Sequence, residues 1–240
     1  MEYDSKGPIL KVLLLLNDQS GFSNIQSSLL PFPDGLLGFE HTLQTLHSAV
    51  PSADTIYIST RDESQESKIK FRLDNPSPLF PPHAHSDHDH DHYSPQTPRL
   101  ETILAEAGFQ ESGYGAVSGL LAAHKLHPDA KWLVLCCGFP LLPPPALQQL
   151  VLECRDPVTC FVREDGVVEP LLGIWGSEAL ERLSILLEGE TVDERVLGRV
   201  IEELQGKLVK PLREEWIVKP RTNEEWKIAM MTWEELRGAN

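Results

Sequence analysis

A series of short aliphatic runs, separated by longer amphipathic stretches, constrains the fold of this chain most strongly. Residues 9–16 (ILKVLLLL) are almost unbroken in apolar character, too short for a typical helix, and typical of a strand buried on both faces. Residues 55–59 (TIYIS) form a second β-rich run. Between these two runs, apolar residues recur every three or four positions, as on one face of an amphipathic helix: Leu36, Phe39, Leu43, Leu46 and Val50.

The same alternation continues to the end of the chain. Apolar spacing and helix-terminating residues predict further helices at residues 100–107, 117–126, 145–154, 177–187 and 192–204. Further strands are predicted at residues 132–136, 158–163 and 167–175, the last two paired antiparallel around a turn at 164–166. A final helix should begin after Thr222, because Glu225 three positions on has capping-box spacing, and should bury Trp226, Ala229, Met230 and Trp233.

Strands that alternate with helices predict an α/β fold: a three-layer sandwich with a mostly parallel, doubly wound sheet. In such sheets ligands bind at the carboxyl ends of the strands. We therefore expect the chemistry in the loops that follow Leu16, Ser59, Cys136 and Val168.

Charge and hydropathy exclude two classes of protein. The 240 residues include 21 Lys and Arg against 36 Asp and Glu, a net charge of −15, which argues against a nucleic-acid binder. No apolar run approaches the ~20 residues needed to span a bilayer, and the first residues carry acids where a signal peptide has bases. We expect a cytoplasmic protein, in which the four cysteines (136, 137, 154 and 160) are small core residues rather than disulfides.

Residues 62–99 interrupt the alternation, since they hold six prolines and five of the nine histidines and show no helical or strand period. We predict a disordered insertion there within a single domain spanning residues 1–240. Its His/Asp tract could bind Zn²⁺, Ni²⁺ or Cu²⁺, or could be a solvated linker. The histidines concerned are His83, His85, His88, His90 and His92.

Four segments stand in the same order as in a known family: LLLLNDQSGFSNIQSSLLPFPDGLLGFEHTLQTL (13–46), GAVSGLLAA (115–123), WLVLCCGFPLLPPPALQQL (132–150) and EPLLGIW (169–175). Together they resemble the MobA-like nucleotidyltransferases, and TNEEW (222–226) is in register with them. The resemblance implies the sandwich described above. It also implies attack by a terminal phosphate of molybdopterin on the α-phosphate of GTP, with pyrophosphate leaving and Mg²⁺ bridging the phosphates.

The chain departs from the family pattern in the loop after the first strand. Where the family has glycines, an Arg and a Lys, this sequence has Asp18 and Gln19, Phe22, Asn24 and Ser27. Between residues 17 and 30 there is no Lys or Arg. Where the family has the Asp that ligates Mg²⁺, this sequence has Gly138, which has no ligand atom, and Arg221 stands where the family often has Asn.

From this comparison, catalytic residues stay unassigned. The expected nucleotide-binding residues are Asn17, Ser20, Gly21, Arg61, Gly115, Ser118 and Gly119. The expected substrate-binding residues are Glu169, Pro170 and Leu171. Asp18 could hold a divalent ion with Glu111 and Glu169, or these three could be solvated carboxylates.

Three functions remain open from the sequence. The first is nucleotidyl (GMP) transfer to molybdopterin, with a nucleoside triphosphate and a molybdopterin-like molecule as partners. The second is a catalytically impaired relative, a pseudoenzyme that binds nucleotide or cofactor or serves as a scaffold. The third is a metal-handling protein that works through its histidine tract.

Overall fold

The aliphatic run that begins the chain lies at the centre of one mixed sheet. The computed structural model describes residues 9–16, 27–74, 79, 97–105, 115–189 and 195–238. Within them, seven strands form the sheet, in the order β3-β2-β1-β4-β6-β5-β7. The strands are β1 Leu10–Leu15, β2 Thr55–Thr60, β3 Arg99–Leu104, β4 Lys131–Cys136, β5 Val158–Val162, β6 Val168–Trp175 and β7 Lys207–Val209. All except β6 run in the same direction, because β6 is antiparallel to both of its neighbours.

Helices cover the sheet in two groups. They are α1 Gly38–Ala49, α2 Glu63–Asp74, α3 Gly115–Leu126, α4 Pro144–Leu152, α5 Ser177–Gly189, α6 Val196–Glu203 and α7 Asn223–Gly238. Helix α1 contacts α4, is joined to α2 by the Glu40–Arg72 ion pair, and is joined to α7 by the Trp233–His41 hydrogen bond. Helix α3 contacts α5, which contacts α6. The predicted α/β sandwich with a mostly parallel, doubly wound sheet is confirmed.

The sheet changes its winding direction between β1 and β4. From β1 the chain moves outward to β2 and then β3, and it returns to place β4 on the other side of β1. Where the connections after two neighbouring parallel strands run to opposite sides, a crevice opens at the carboxyl ends of those strands. Sheets of this kind bind their ligands in that crevice. Leu15 and Cys136, which are register partners, mark this point.

The helix predicted at residues 100–107 is wrong, because this segment forms the edge strand β3. Its main chain pairs in parallel with β2 from Thr55↔Arg99 to Thr60↔Leu104. Leu, Glu and Ala favour a helix locally, but the pairing with β2 satisfies the backbone and overrides that preference. The Thr102 hydroxyl also donates to Glu66 of α2, 2.5 Å away.

The prediction of a disordered insertion from residue 62 is also wrong at its start, because residues 63–74 form helix α2. The helix has only two buried side chains, Gln65 and Ile69, so its apolar period is too weak to read. Its start is set by Asp62, whose carboxylate accepts the Gln65 N–H at 2.8 Å. The chain also contains a short strand, β7, that the sequence reading missed.

Buried aliphatic side chains of the sheet and both helix groups form the main core. Cys136, Cys137 and Cys160 are buried in or against it, as expected, and Cys154 is half-buried. No helix in the described ranges combines the length and apolar character needed to cross a bilayer.

Candidate functional site

Several of the residues predicted to form the site fall outside the described part of the chain. These are Asn17, Asp18, Ser20 and Gly21 in the loop after β1, Glu111, and the five histidines of the tract, His83, His85, His88, His90 and His92. Their predicted roles in nucleotide or metal binding therefore remain predictions. The described residues at the same edge of the sheet define the site below.

The paired strands β4 and β6 bring Gly138 and Glu169 to the same end of the sheet. Leu135 of β4 is the register partner of Leu172 of β6 in an antiparallel pair. Gly138 lies three residues after Leu135, and Glu169 lies three residues before Leu172. The pairing ends at Leu135 and Gly138 lies in the turn after β4, so Gly138 and Glu169 lie near the same end of this strand pair.

Glu169 is half-buried at this edge of the sheet. Burial is the largest influence on its carboxyl group and raises its pKa, whereas Lys219, Arg163 and Arg221 act in the opposite direction. Burial also raises the pKa of the neighbouring Cys160 thiol to about 12, and the Glu169 charge adds to this shift. The charge of Asp165 acts in the same direction as burial, so the three cations offset the effect of burial only in part.

The Lys219 ammonium nitrogen lies 5.8 Å from the ring centroid of Phe139, the residue after Gly138. The backbone around Lys219 is held on both sides, because Ile217 and Pro220 are buried. Next to it, the Arg221 N–H donates to Glu225 Oε2 at 2.6 Å, at the start of α7. A cation therefore lies beside the loop in which the family has its metal-binding Asp.

The sequence reading did not select Lys219 or Arg163. The sequence does contain a signal for these basic residues. Lys219 and Arg221 lie within three residues before Thr222, the capping residue of a helix whose start was correctly predicted. That cap is seen in the structure, where the Glu225 N–H donates to Thr222 Oγ1 at 3.1 Å. A pair of bases held at a fixed helix start is well placed to contact an anion.

Pro170 and Leu171, the other predicted substrate-binding residues, follow Glu169 in β6. The Pro170 carbonyl accepts a hydrogen bond from Trp175 Nε1 at 2.8 Å, and Leu171 packs against the main core. These contacts fix the start of β6, and with it the position of Glu169.

Helix α3 begins at the same edge and holds three predicted nucleotide-binding residues. The Ser118 side chain is fully buried, and its hydroxyl donates back to the Gly115 carbonyl at 3.1 Å. A Cβ on Gly119 would collide with the Ser59 hydroxyl and would lie 3.0 Å from a Leu15 methyl group. Gly119 is thus required for close packing of α3 on β1 and β2. Gly115 forms the first residue of the helix.

Arg61 follows β2 and is about half exposed. Its Nε donates to Asp62 Oδ2 at 2.8 Å, and its backbone N–H donates to Gln65 Oε1 at 2.7 Å. The pKa of Asp62 is lowered, chiefly by the Gln65 backbone hydrogen bond and next by Arg61. The guanidinium group therefore supports the start of α2 at the edge where nucleotide binding is expected.

The described residues do not fit a divalent metal ion at the end of β4. Gly138 supplies no donor atom, and within the described ranges no group of three or more His, Cys, Asp or Glu residues is arranged to hold a metal. The Lys219 ammonium nitrogen, 5.8 Å from the Phe139 ring centroid, would also repel a metal ion here. We therefore derive no chemical step through Mg²⁺.

A cleft of about 300 Å³ lies between α1, α7 and the proline-rich loop before α4. His41 in its wall stacks on Phe32, with ring centroids 4.1 Å apart, and its Nε2 accepts the Trp233 indole N–H at 3.0 Å. Burial lowers the pKa of His41 to about 4, so the ring is neutral at pH 7. Trp226 and Trp233 are buried and Met230 is partly buried in the same cluster, as predicted for α7.

Comparison with solved structures shows the same fold. Molybdopterin-guanine dinucleotide biosynthesis protein A from Archaeoglobus fulgidus aligns with a TM-score of 0.63 at 17% identity, covering 94% of this chain and 99% of that one. The 4-diphosphocytidyl-2C-methyl-D-erythritol synthase from Anaerococcus prevotii aligns with a TM-score of 0.61 at 12% identity, covering 95% and 100%. Rv0371c from Mycobacterium tuberculosis H37Rv, solved in complex with manganese, aligns with a TM-score of 0.55 at 11% identity, covering 94% and 100%.

The sequence itself carries the family assignment. No curated protein is significantly similar to the chain in sequence. Residues 28–207, however, match the family described as the MobA-like NTP transferase domain. This range begins before α1 and ends at the start of β7, so it includes β4, Gly138 and Glu169 but not β1. The chain therefore belongs to the MobA-like NTP transferase domain family.

Proposed function

We propose that this protein binds a nucleoside triphosphate at the carboxyl edge of its sheet and transfers the nucleotidyl group to a phosphorylated acceptor. The observation that carries the proposal is the match of residues 28–207 to the MobA-like NTP transferase domain, and three basic residues whose charges act on Glu169 support it: Lys219, Arg163 and Arg221. Nucleotidyl transfer depends on positioning and on neutralising phosphate charge, and these side chains supply positive charge where the fold binds ligands.

GTP is the proposed donor and molybdopterin the proposed acceptor, because the sequence segments resemble the guanylyltransferases of the family. The fold match to the Archaeoglobus fulgidus protein agrees with this choice. A fold match to a cytidylyltransferase makes CTP the nucleotide to compare. The proposed location is the cytoplasm, where nucleoside triphosphates are available.

The test is release of pyrophosphate from GTP, CTP or ATP, with and without molybdopterin. We expect release from GTP that requires the acceptor and is greater than release from CTP or ATP. Acceptor-dependent release from CTP alone would replace the donor assignment. A protein that releases pyrophosphate from none of them would not be a transferase of this kind.

A second function is favoured by Gly138, which leaves the end of β4 without the metal ligand of the family. In this alternative the chain binds the nucleotide without turning it over. Binding without turnover predicts that GTP raises the melting temperature while no pyrophosphate appears. The two functions are therefore separated by combining the two measurements on one preparation.

A further inference from the structure

The cleft between α1, α7 and the proline-rich loop before α4 has the size of a site for a small ligand. Its volume of about 300 Å³ is at the low end of the ~300–1,000 Å³ over which proteins hold small molecules, so it admits a molecule of one or two rings. One wall is a stripe of α1, because residues three or four positions apart face the same way: His41, Gln44, Thr45 and Ser48.

The proline-rich loop gives the cleft an apolar wall that is already rigid. Pro140, Pro143 and Pro144 line it, and each proline ring fixes its own φ angle. The Leu142 N–H donates to the Phe139 carbonyl at 3.2 Å, and the Leu142 side chain is buried, so the loop is held from within. A rigid wall loses little conformational entropy when a ligand binds.

His41 carries an unused hydrogen-bond donor in the wall of this cleft. The Trp233 indole nitrogen can only donate, and it lies 3.0 Å from His41 Nε2, so Nε2 accepts and the ring proton is on Nδ1. Stacking on Phe32, with the ring centroids 4.1 Å apart, holds the imidazole in place. Among the described residues no group accepts a hydrogen bond from this Nδ1–H. A ligand oxygen in the cleft would satisfy it.

The charges at the cleft favour an uncharged ligand. Arg237 is the one formally charged side chain among the described residues that line it, and Arg237 Nη1 donates to Asp34 Oδ2 at 2.8 Å. The guanidinium group also lies over the Trp233 ring, 4.6 Å from its centroid. Asp34 therefore balances the charge of Arg237 and would repel an anion, whereas Arg237 would repel a cation.

We propose that this cleft is a binding site for a small uncharged molecule that joins an apolar ring to a carbonyl oxygen, as a lactam does. The oxygen accepts from His41 Nδ1–H, and the ring packs against the proline-rich loop. Gln44 Nε2 donates to the Leu79 carbonyl at 2.8 Å, so Gln44 Oε1 is the end of the amide that can accept from a ligand N–H. The inference does not depend on the proposed function, because none of the described residues that line the cleft is a predicted nucleotide- or substrate-binding residue.

The experiment compares two bicyclic probes of nearly equal size: oxindole, which has a lactam carbonyl, and indole, which has no oxygen. The readout is the NMR signal of the Trp233 indole N–H in the full chain, assigned by comparison with Trp233→Phe and followed on titration to about 10 mM. We expect oxindole to bind about fivefold more tightly than indole, the gain from one net neutral hydrogen bond. His41→Phe keeps a ring to stack on Phe32 but has no donor, so it should remove this preference.

Ser48→Phe tests the location of the site without changing His41 or Trp233. Ser48 lines the cleft and is exposed, so the added ring should fill the cleft and abolish the binding of oxindole. The matched control is Ser64→Phe, which adds the same ring at an exposed serine of α2 and should bind oxindole as the parent does.

A preference for oxindole that is lost in His41→Phe, with binding that is lost in Ser48→Phe and kept in Ser64→Phe, supports the inference. Equal affinities of the parent for oxindole and indole overturn it, and so does an equal preference in His41→Phe. Tighter binding of indole-2-carboxylate than of oxindole overturns the uncharged ligand class. Binding that survives in Ser48→Phe, or a Trp233 signal that does not move with oxindole, overturns the site itself.

Discussion

The Lys219 ammonium nitrogen lies 5.8 Å from the ring centroid of Phe139, the residue directly after Gly138. This relationship links the C-terminal segment before α7 to the loop after β4, at the point where the sheet changes its winding direction. It places a positive charge beside the one position at which the chain most clearly departs from its family. The charge at this edge is changed directly by a substitution at Glu169.

Glu169→Gln should tighten nucleotide binding. A carboxylate within ~4 Å of a phosphate charge costs about 4 kcal/mol at an effective dielectric near 20, and the surrounding cations reduce that cost. We therefore expect an affinity gain of about threefold or more for GTP at pH 8, measured by calorimetric titration. Glu164→Gln in the exposed hairpin turn is the control and should leave affinity unchanged. Weaker binding of GTP by Glu169→Gln would show that this carboxylate contacts the nucleotide favourably.

Gly119→Ala should destabilise the fold. The added methyl group would collide with the Ser59 hydroxyl and press on Leu15, and overpacking of this kind costs ~1–3 kcal/mol. Gly198→Ala in α6 is a matched control, since nothing lies within 4 Å of its Cβ position and alanine favours a helix by ~1 kcal/mol. Thermal unfolding should therefore show a lower melting temperature for the first variant and a higher one for the second. Equal stability of Gly119→Ala and the parent would mean that α3 does not pack this closely on β2.

The neutral His41 predicts a loss of stability on mild acidification. Its pKa falls from 6.5 in the unfolded chain to about 4 in the fold, so between these values the unfolded chain binds the extra proton. The stabilisation is fully present above pH 6.5 and declines as the pH falls toward 4. Lowering the pH from 7 to 5 should reduce the free energy of unfolding by about 2 kcal/mol through this residue.

The contribution of His41 can be isolated with His41→Gln, which does not titrate and keeps an acceptor for the Trp233 indole N–H. Urea unfolding at pH 7 and pH 5 gives the loss of stability for each protein. The loss should be smaller in the variant by about 2 kcal/mol. The same loss in both proteins would mean that His41 titrates normally in the fold.

The ion pair between Arg72 and Glu40 should stabilise the packing of α2 on α1. Glu40 is almost fully buried, and its two carboxylate oxygens accept bonds from Arg72 at 2.7 and 3.2 Å. Arg72→Met leaves this carboxylate without its cation and should cost about 2 kcal/mol of unfolding free energy. The control is Lys70→Met on the same helix, where an exposed pair with Glu66 contributes ~0.5 kcal/mol or less. If both variants lose the same small amount, α2 is held by other contacts.

The sequence predicted the centre of this fold better than its edges. The aliphatic runs of β1 and β4 are buried on both faces, so their composition alone distinguishes them from helices. Strand β3 lies at the sheet edge with half of its residues exposed, and only its pairing with β2 makes it a strand. Helix α2 buries two side chains and is held by a capping Asp62 and an ion pair to α1, features that leave no apolar period.

The site was predicted in part for a similar reason. Glu169 was found because its segment resembles the family, and the structure places it at the same end of the β4–β6 pair as Gly138. Arg163 and Lys219 come from elements far apart in sequence, so their effect on Glu169 appears only when β5, β6 and the segment before α7 lie together. Gly119 has a packing role at the end of β2 that spacing along the chain does not show.

The measurement that tests the central claim most directly is the melting temperature of the full chain with GTP, CTP or ATP, each in Mg²⁺ and in EDTA. A ligand at 100 times its dissociation constant adds ~2.7 kcal/mol of stability, enough for a shift of several degrees in a domain of this size. Our account predicts a clear upward shift with GTP. No shift with any of the three nucleotides, with or without Mg²⁺, would contradict a nucleotide site at the carboxyl edge of this sheet.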